Sequence, residues 1–361
     1  MKIMTILGTR PEIIRLCLII KKLDTTNEHI LVHTGQNYDK NLNDIFFEDL
    51  ELRQPDYYLG AKASSFGEQI SIILREIEKL YIKLKPDRVL ILGDTNSGLT
   101  AIIAERMMIP VFHMEAGNRC YDLKVPEEKN RKIIDSISTI AIPYTPNSRE
   151  NLLREGIQKN RIYVSGNPIY EVLQTFMKKV DESNILDKLS LKPQKYFLTT
   201  FHRAENVDDE NRLRSLINGF ELIADKYNLP IICSVHPRTR NKLEKFNIQI
   251  KNENIQFLEP FGFFDFVNLE KNAKLVLTDS GTVQEECCIF NVPTVTMRDT
   301  TERPETVECK SNIVSGLESN NIFNCTKIML QGDTNWEYPI GYIDMNVSDK
   351  IIKFINSNIE V

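Results

Sequence analysis

The stretch FHMEAGNRCYDLKVPEEKNR, Phe112 to Arg131, gathers Glu115, Glu127, Glu128, Arg119 and Arg131 directly behind an apolar run. Carboxylates in such a cluster can remove and return protons, and arginines beside them can hold an anion. The competing reading is a solvated loop with incidental salt bridges. Glu115 ends HMEAG ahead of Gly117, with His113 at the alternate position and so on the same side of an extended strand. Glu127 follows Pro126 at the opening of EEKNRKIID, where an acid also favours the helix dipole. That plain reading, an exposed first-turn acid, applies with more force to Glu128. Upstream, GDTNSG (93–98) closes another run with Asp94, which can accept a proton, orient a hydroxyl or simply cap the next helix. GTRPEI (8–13) places Arg10 near the positive end of a helix, between Gly8 and Pro11. Arg15 lies further along and shares only part of the Arg10 face.

The second half carries a different chemistry. TFHRAEN (200–206) offers His202 and Arg203, and SVHPRTR (234–240) offers His236, Arg238 and Arg240. A lone histidine at a strand end is more often structural; two at matching positions, each near an arginine, suit phosphate binding or acid–base work. TDSGTVQEE (278–286) is the most specific signal. Ser280, Gly281 and Thr282 form a small-residue turn opening a helix, a ready site for phosphate oxygens. Glu286 falls one turn inside that helix, where a carboxylate can bind the two hydroxyls of a ribose. Arg298 and Arg303 of RDTTERPE (298–305) suit pyrophosphate. Together these residues spell a nucleoside-diphosphate site.

These clusters need rigid elements to aim them, and the apolar pattern supplies strands. Runs at 2–8, 29–35, 87–94, 109–117 and 138–145 are rich in Ile, Val and Leu, as buried parallel strands are. Helical patterns at Glu12–Leu23, Ser65–Leu84 and Leu99–Met107 alternate with them. A polar stretch, KKVDESNILDKLSLKPQK, is expected to be a linker. The rhythm then restarts at 196–203, 229–237, 255–260, 273–281 and 293–299. The tail 346–357 has helical periodicity with Ser348 as its expected N-cap. Alternation of this kind predicts two α/β domains with doubly wound sheets, a division that 361 residues also favour. Such sheets bind ligands beyond the C-terminal ends of their strands, where all these polar clusters fall.

Composition narrows the partners. A net charge of −5 and a pI near 5.7 argue against nucleic acid as a ligand. The seven cysteines include no C-x-x-C pair, so neither a disulfide framework nor a zinc site is expected. Arg10 and Pro11 interrupt the N-terminus too early for a secretory signal, and no apolar run approaches the ~18 residues of a membrane span. A soluble, cytoplasmic protein is expected.

The ordered set GTRPE, GDTNS, HMEAGNR, VPEEKNR, FHRAEN, EPFGFFDF, TDSGTVQEE and RDTTERPE resembles the non-hydrolysing UDP-N-acetylglucosamine 2-epimerase family over most of the chain. The resemblance implies two Rossmann-like domains facing a cleft, as in B-type glycosyltransferases. The domains would be an N-terminal one (1–172) on the sugar side and a C-terminal one (190–345) binding UDP. A last helix (346–361) would cross back to the first domain. It implies anti-elimination of UDP across C1–C2 to a 2-acetamidoglucal, then re-addition with the proton on the opposite face. It also implies a homodimer, and neither cofactor nor metal. On this resemblance Asp94, Glu115, Glu127 and His202 would be catalytic, and Arg10, Arg15, His236, Phe266, Ser280, Gly281, Thr282, Glu286 and Arg303 would bind the UDP-sugar. Arg15 stands where the family usually has lysine, Phe261 where glutamine is common, and TGQNYD (34–39) lacks the family's more common histidine and arginine. The loop CYDLKVPEE, with SVHPRTRNK and the NVSDKII tail, is similar to a branch acting on modified sugars of capsule and O-antigen synthesis. Candidate substrates there are UDP-2-acetamido-2,6-dideoxy-L-hexoses and UDP-2,3-diacetamido-glucuronate. UDP-GlcNAc is the leading substrate. A hydrolysing epimerase, a B-type glycosyltransferase and a nucleotide-sugar-binding protein are the rival readings.

Overall fold

Ile3, Met4, Ile6 and Leu7 are all buried in β1 (Lys2–Leu7), with no exposed face to alternate against. A parallel strand covered by helices on both sides has that property. A computed structural model places the strand and describes residues 1–36, 40–235 and 237–358. The chain divides into two compact units, Met1–Thr175 with Ile340–Val361 and Phe176–Pro339.

In the first unit β1 is joined by β2 (Glu28–His33), β3 (Tyr57–Tyr58), β4 (Arg88–Leu92), β5 (Val111–Met114) and β6 (Ile140–Ile142). They form one parallel sheet in the order β3-β2-β1-β4-β5-β6. The order reverses between β1 and β4, so the loops after these two strands diverge and leave a crevice at their C-terminal ends. Helix Phe66–Leu84 shows how the layers are bonded: Ile73, Ile77 and Tyr81, spaced one turn apart, are its fully buried residues. Its start is set by Ser65, whose side chain accepts from the Glu68 N–H. Truncating Ile77 to alanine would cost roughly 2–5 kcal/mol through lost burial and the cavity left behind.

The second unit repeats the plan with β7 (Phe197–Thr200), β8 (Ile231–Ser234), β9 (Ile255–Leu258), β10 (Leu275–Thr278), β11 (Thr294–Thr296) and β12 (Asn312–Val314). Their order, β12-β11-β10-β7-β8-β9, is the same winding, all parallel, with the reversal between β7 and β10. Its core joins Phe197, Phe201, Phe220 and Leu277 on one face to Tyr196, Leu198, Val276 and Cys287 on the other.

The expected strands all form, shorter than the apolar runs that announced them. The strands β3 and β12 escape the sequence pattern because each is two or three residues long and neither is fully buried. The stretch expected to be a linker is ordered structure of the second unit. It contains the helix Ile185–Lys188, and Ile185 and Leu191 lie in the core with Tyr196. Ser183 Oγ donates to Asp265 (2.5 Å), and Lys271 pairs with Asp181 (2.6 Å). The tail helix Val347–Asn356 belongs to the first unit, with Ile351 and Ile355 fully buried. Lys22 binds Asp349 (2.5 Å) and Asn27 binds Asn356 (2.7 Å). The expected cap at Ser348 is wrong: Asn346, at φ 62°, precedes the helix, and Ser348 instead donates its N–H and hydroxyl to Glu171 at 2.8 and 2.6 Å. A buried carboxylate is the better acceptor on offer. Among the described residues no helix is long and apolar enough to cross a membrane.

Candidate active site

At the end of β1 a Cβ on Gly8 would lie 2.0 Å from Thr34 Oγ1 and 2.4 Å from Ser97 Oγ, so only glycine fits. The residue that clasps this loop is Glu12, which is buried. Its carboxylate accepts from the N–H groups of Gly8 (2.5 Å) and Thr9 (2.9 Å), and from Thr95 Oγ1 (2.5 Å) in the loop after β4. Burial outweighs these donors and pushes the carboxyl up to about 7. Arg10 begins the helix Arg10–Thr26 with its guanidinium 5.7 Å from the Phe46 ring centroid, and burial pulls its pKa down. Arg15 is buried, ion-pairs with Glu115 and stands 5.7 Å from the Tyr144 ring centroid. Arginine's planar charge suits a site that is at once acidic and aromatic.

Asp94 and Glu115 end adjacent strands. The register pairs Leu92 with Met114, and the ladder runs on through Gly93 N–H to Met114 O (3.0 Å) and Glu115 N–H to Ile142 O (3.1 Å). Asp94 does not cap the turn that follows it. Thr95 does so, accepting from the Ser97 N–H, and Asp94 instead receives Arg131 Nε (3.0 Å). Asn130 Nδ2 holds the Asp94 carbonyl (3.0 Å), so one face of helix Pro126–Ile137 grips the strand end. With 21% of its side chain still exposed, Asp94 remains open to solvent. Glu128, expected to be a solvated helix-start acid, is fully buried. It accepts from the N–H groups of Cys120 (3.1 Å) and Tyr121 (3.2 Å) and from Arg131 Nη1 (3.0 Å). Two N–H groups of a folded-back loop and an arginine one turn along the same helix outweigh hydration of this carboxylate. Glu127 sits in the first turn of the same helix, half-buried.

Glu115 has φ 66°, the left-handed region that a residue with a Cβ enters at a cost of order 1–3 kcal/mol. The network behind it explains how that conformation is held. His113 Nε2 donates to the Gly93 carbonyl (2.8 Å) beside Asp94, while its Nδ1 lies 2.9 Å from Asp135. Asp135 also receives the Gly117 N–H (3.1 Å) and pairs with Arg119 Nη1 (2.8 Å), and Arg119 Nε reaches Glu155 (2.8 Å). Burial alone would raise the Asp135 carboxyl, but His113 and Arg119 hold it below the usual carboxylate range. The backbone on both sides of Glu115 is thereby pinned.

In the second unit Asp279, directly after β10, is fully buried. It accepts from the N–H groups of His202 (3.0 Å) and Arg203 (3.0 Å) and from Asn206 Nδ2 (3.0 Å). That leaves the His202 imidazole facing outward, 44% exposed, with Nδ1 3.6 Å from Asp279. Ser280 precedes the helix Gly281–Ile289, its own N–H donating to Thr278 Oγ1 (3.0 Å). A Cβ on Gly281 would stand 2.7 Å from Glu302 Oε1, and Thr282 is half-buried in the next position. Glu302 collects Arg203 Nη2 (3.1 Å) and Arg298 Nη1 (2.6 Å), and Arg303 Nε lies 2.6 Å from Glu285. Both arginines expected at a pyrophosphate are therefore buried against acids that fix their direction. Glu286 is buried beside Glu270, whose carboxyl is pushed well up, first by burial and then by Glu286. Phe266 is half-buried against the Tyr196 and Leu198 core. His236 lies outside the described residues, as does the Arg238 side chain; Arg240 pairs with Glu259 (2.9 Å).

Sequence reasoning passed over Glu12, Asp135, Glu270 and Asp279. Glu12 and Asp279 had a signal, since each stands inside a quoted strand-end motif. Asp135 and Glu270 lie in helices with nothing local to mark them.

The family described as UDP-N-acetylglucosamine 2-epimerase matches residues 21–356. A protein of Methanococcus maripaludis named UDP-N-acetylglucosamine 2-epimerase is 44% identical over 348 residues, covering 94% of each chain. The crystal structure of the Methanocaldococcus jannaschii UDP-GlcNAc 2-epimerase in complex with UDP-GlcNAc and UDP superposes with a TM-score of 0.93 at 43% identity, over 98% of this chain and 99% of that one. The UDP-2,3-diacetamido-2,3-dideoxy-D-glucuronate 2-epimerase of Pseudomonas aeruginosa is 36% identical over 91% of this chain and 92% of its own. The ordered strand-end motifs, the doubled six-stranded winding and these likenesses along nearly the whole length agree, and the chain belongs to the UDP-N-acetylglucosamine 2-epimerase family.

Proposed function

We propose that this protein interconverts UDP-GlcNAc and UDP-ManNAc without net hydrolysis. The observation that carries the reading is the pairing of Asp94 and Glu115 at adjacent strand ends. Each is oriented by its own arginine, and Asp94 keeps part of its side chain exposed. In the forward direction one carboxylate takes the C2 proton as the C1–O bond to UDP breaks, leaving 2-acetamidoglucal. UDP oxygen then re-forms the bond at C1 while a proton is returned to the other face of C2. Asp94, Glu115 and Glu127 are the acids assigned to this proton traffic. Arg10 and Arg15 supply positive charge near it.

The diphosphate is assigned to the second unit. The turn Ser280–Thr282 at a helix N-terminus, with Arg303 held in place by Glu285, suits phosphate oxygens, and Glu286 suits the ribose hydroxyls. The outward imidazole of His202, His236 and the ring of Phe266 complete the assignment. Keeping UDP bound between the two half-reactions separates epimerisation from release of free sugar. The same reading includes a cytoplasmic homodimer that supplies surface-polysaccharide synthesis; light scattering on the purified protein tests the dimer.

A second reading, 2-epimerisation of UDP-2,3-diacetamido-glucuronate or another modified UDP-sugar, is favoured by the likeness to the Pseudomonas aeruginosa protein. Proton NMR with UDP-GlcNAc in deuterated water separates the readings. UDP-ManNAc carrying deuterium at C2 is expected. Free ManNAc would indicate a hydrolysing enzyme, and exchange seen only with a modified sugar would move the substrate while keeping the chemistry.

A further inference from the structure

We propose that Cys288 and Cys309 form a peroxide-oxidisable dithiol that closes to a disulfide within the second unit. Their sulfurs are 3.7 Å apart. A disulfide bond is about 2.05 Å long, so closure needs side-chain movement of under about 2 Å. Cys288 lies in helix Gly281–Ile289, where Trp336 Nε1 anchors its carbonyl (3.0 Å). Cys309 ends the short helix Pro304–Glu308, and its sulfur also lies 3.3 Å from Ser311 Oγ. Cys309 is partly exposed, whereas Cys17, Cys120, Cys233, Cys287, Cys288 and Cys325 are buried. Cys309 is therefore the more open residue of a touching pair.

The electrostatics favour the same order of events. Hydrogen bonding from Cys288 holds the Cys309 thiol below its ordinary value, against the opposing effect of burial. Burial pushes Cys17 up to about 12 and Cys233 and Cys287 well above their ordinary value, which makes them poor nucleophiles. The Cys309 thiolate attacks hydrogen peroxide, the O–O bond breaks, and Cys309 sulfenic acid and hydroxide form. Cys288 sulfur then displaces hydroxide from the Cys309 sulfur, giving the disulfide, and its proton leaves with that hydroxide as water. Overall two thiols are oxidised and one peroxide is reduced to two waters. A dithiol such as thioredoxin's reverses the reaction by exchange.

The consequence rests on the nucleotide role proposed for this unit, although the disulfide itself does not. The bond would tie the helix opened by Ser280–Thr282, which carries Glu286, to the segment that begins at Arg303. Pulling these together shifts phosphate and ribose contacts at once, and UDP affinity is expected to fall about tenfold, within the usual range of coupling between sites.

The test treats the folded chain with hydrogen peroxide, blocks remaining thiols and maps peptides without reduction. A Cys288–Cys309 linked peptide is expected, abolished by dithiothreitol and absent from Cys309→Ser. In Cys288→Ser the sulfenic acid on Cys309 should persist and be trapped by dimedone, which shows which sulfur reacts first. Full alkylation of both cysteines after peroxide, or a link between a different pair, overturns the proposal. Calorimetric titration with UDP before and after oxidation tests the consequence. A disulfide that leaves UDP affinity unchanged overturns the coupling, and a reduced protein that does not bind UDP indicts the nucleotide assignment rather than the dithiol.

Discussion

Asp94 and Asp279 follow the fourth strand of their respective sheets, each just across the reversal in strand order, yet they have opposite fates. Asp279 is sealed: it clasps the loops after β7 and β10 by accepting the N–H groups of His202 and Arg203. Asp94 stays partly open on an arginine side chain. In the first unit the clasp is made by a different acid. Glu12 reaches from its helix to Gly8, Thr9 and Thr95 and ties the loops after β1 and β4. Each unit thus closes its switch point with one buried carboxylate. Where the helix supplies it, the strand-end acid stays partly exposed; where the strand end supplies it, the group left facing out is His202.

The contrast is sharpest in activity. Asp94→Asn should lower kcat by about 10³-fold or more, within the span of general acid–base catalysis, with the fold retained by circular dichroism. Activity within tenfold of wild type would dissolve the distinction. Asp279→Ala should act on stability: with the carboxylate gone, buried N–H groups lose their acceptor, and about 3–4 kcal/mol should disappear from urea unfolding. If Asp279→Ala instead unfolds like wild type and merely loses activity, the two aspartates are not different in kind.

Glu12 tests the shared clasp through pH. Its carboxyl is raised in the folded state to about 7 from 4.5, so the folded form binds the proton more tightly. That contribution is complete below pH 4.5 and is lost as pH rises through 7. It amounts to at most about 3 kcal/mol. Thermal melts of Glu12→Gln should lack the decline in stability across that window; an identical pH profile in both proteins would remove the burial argument. The smallest effect is expected at Gly281→Ala. The new methyl must displace Glu302, and UDP binding by calorimetry should weaken about tenfold, roughly 1.4 kcal/mol, while Asp94-dependent proton exchange at saturating substrate is kept.

Much of the frame was legible because its signals are local. Ile3 to Leu7 is apolar on both faces of β1, and Ile73, Ile77 and Tyr81 repeat at helical spacing. The strand-end motifs could be located because polar residues there interrupt such runs. What escaped was partnership. Glu128 looked like a solvated first-turn acid and is buried against Arg131; Ser348 looked like a cap and donates to Glu171. Ile185 and Leu191 sit in a polar stretch whose composition signals a linker, although they anchor it to the core.

Taken alone, the amino-acid order determined the alternation of strands and helices, the doubly wound architecture and the set of residues delivered to the strand ends, since periodicity and turn chemistry act over a few residues. Only the tertiary structure decided which of those carboxylates are sealed and which are open. Arg15 and Glu115 meet across one hundred residues, and Asp279 holds Arg203 across seventy-six. Such pairs are chosen by sheet register and burial, which bring distant chain segments together and remove the water that would otherwise screen every charge equally.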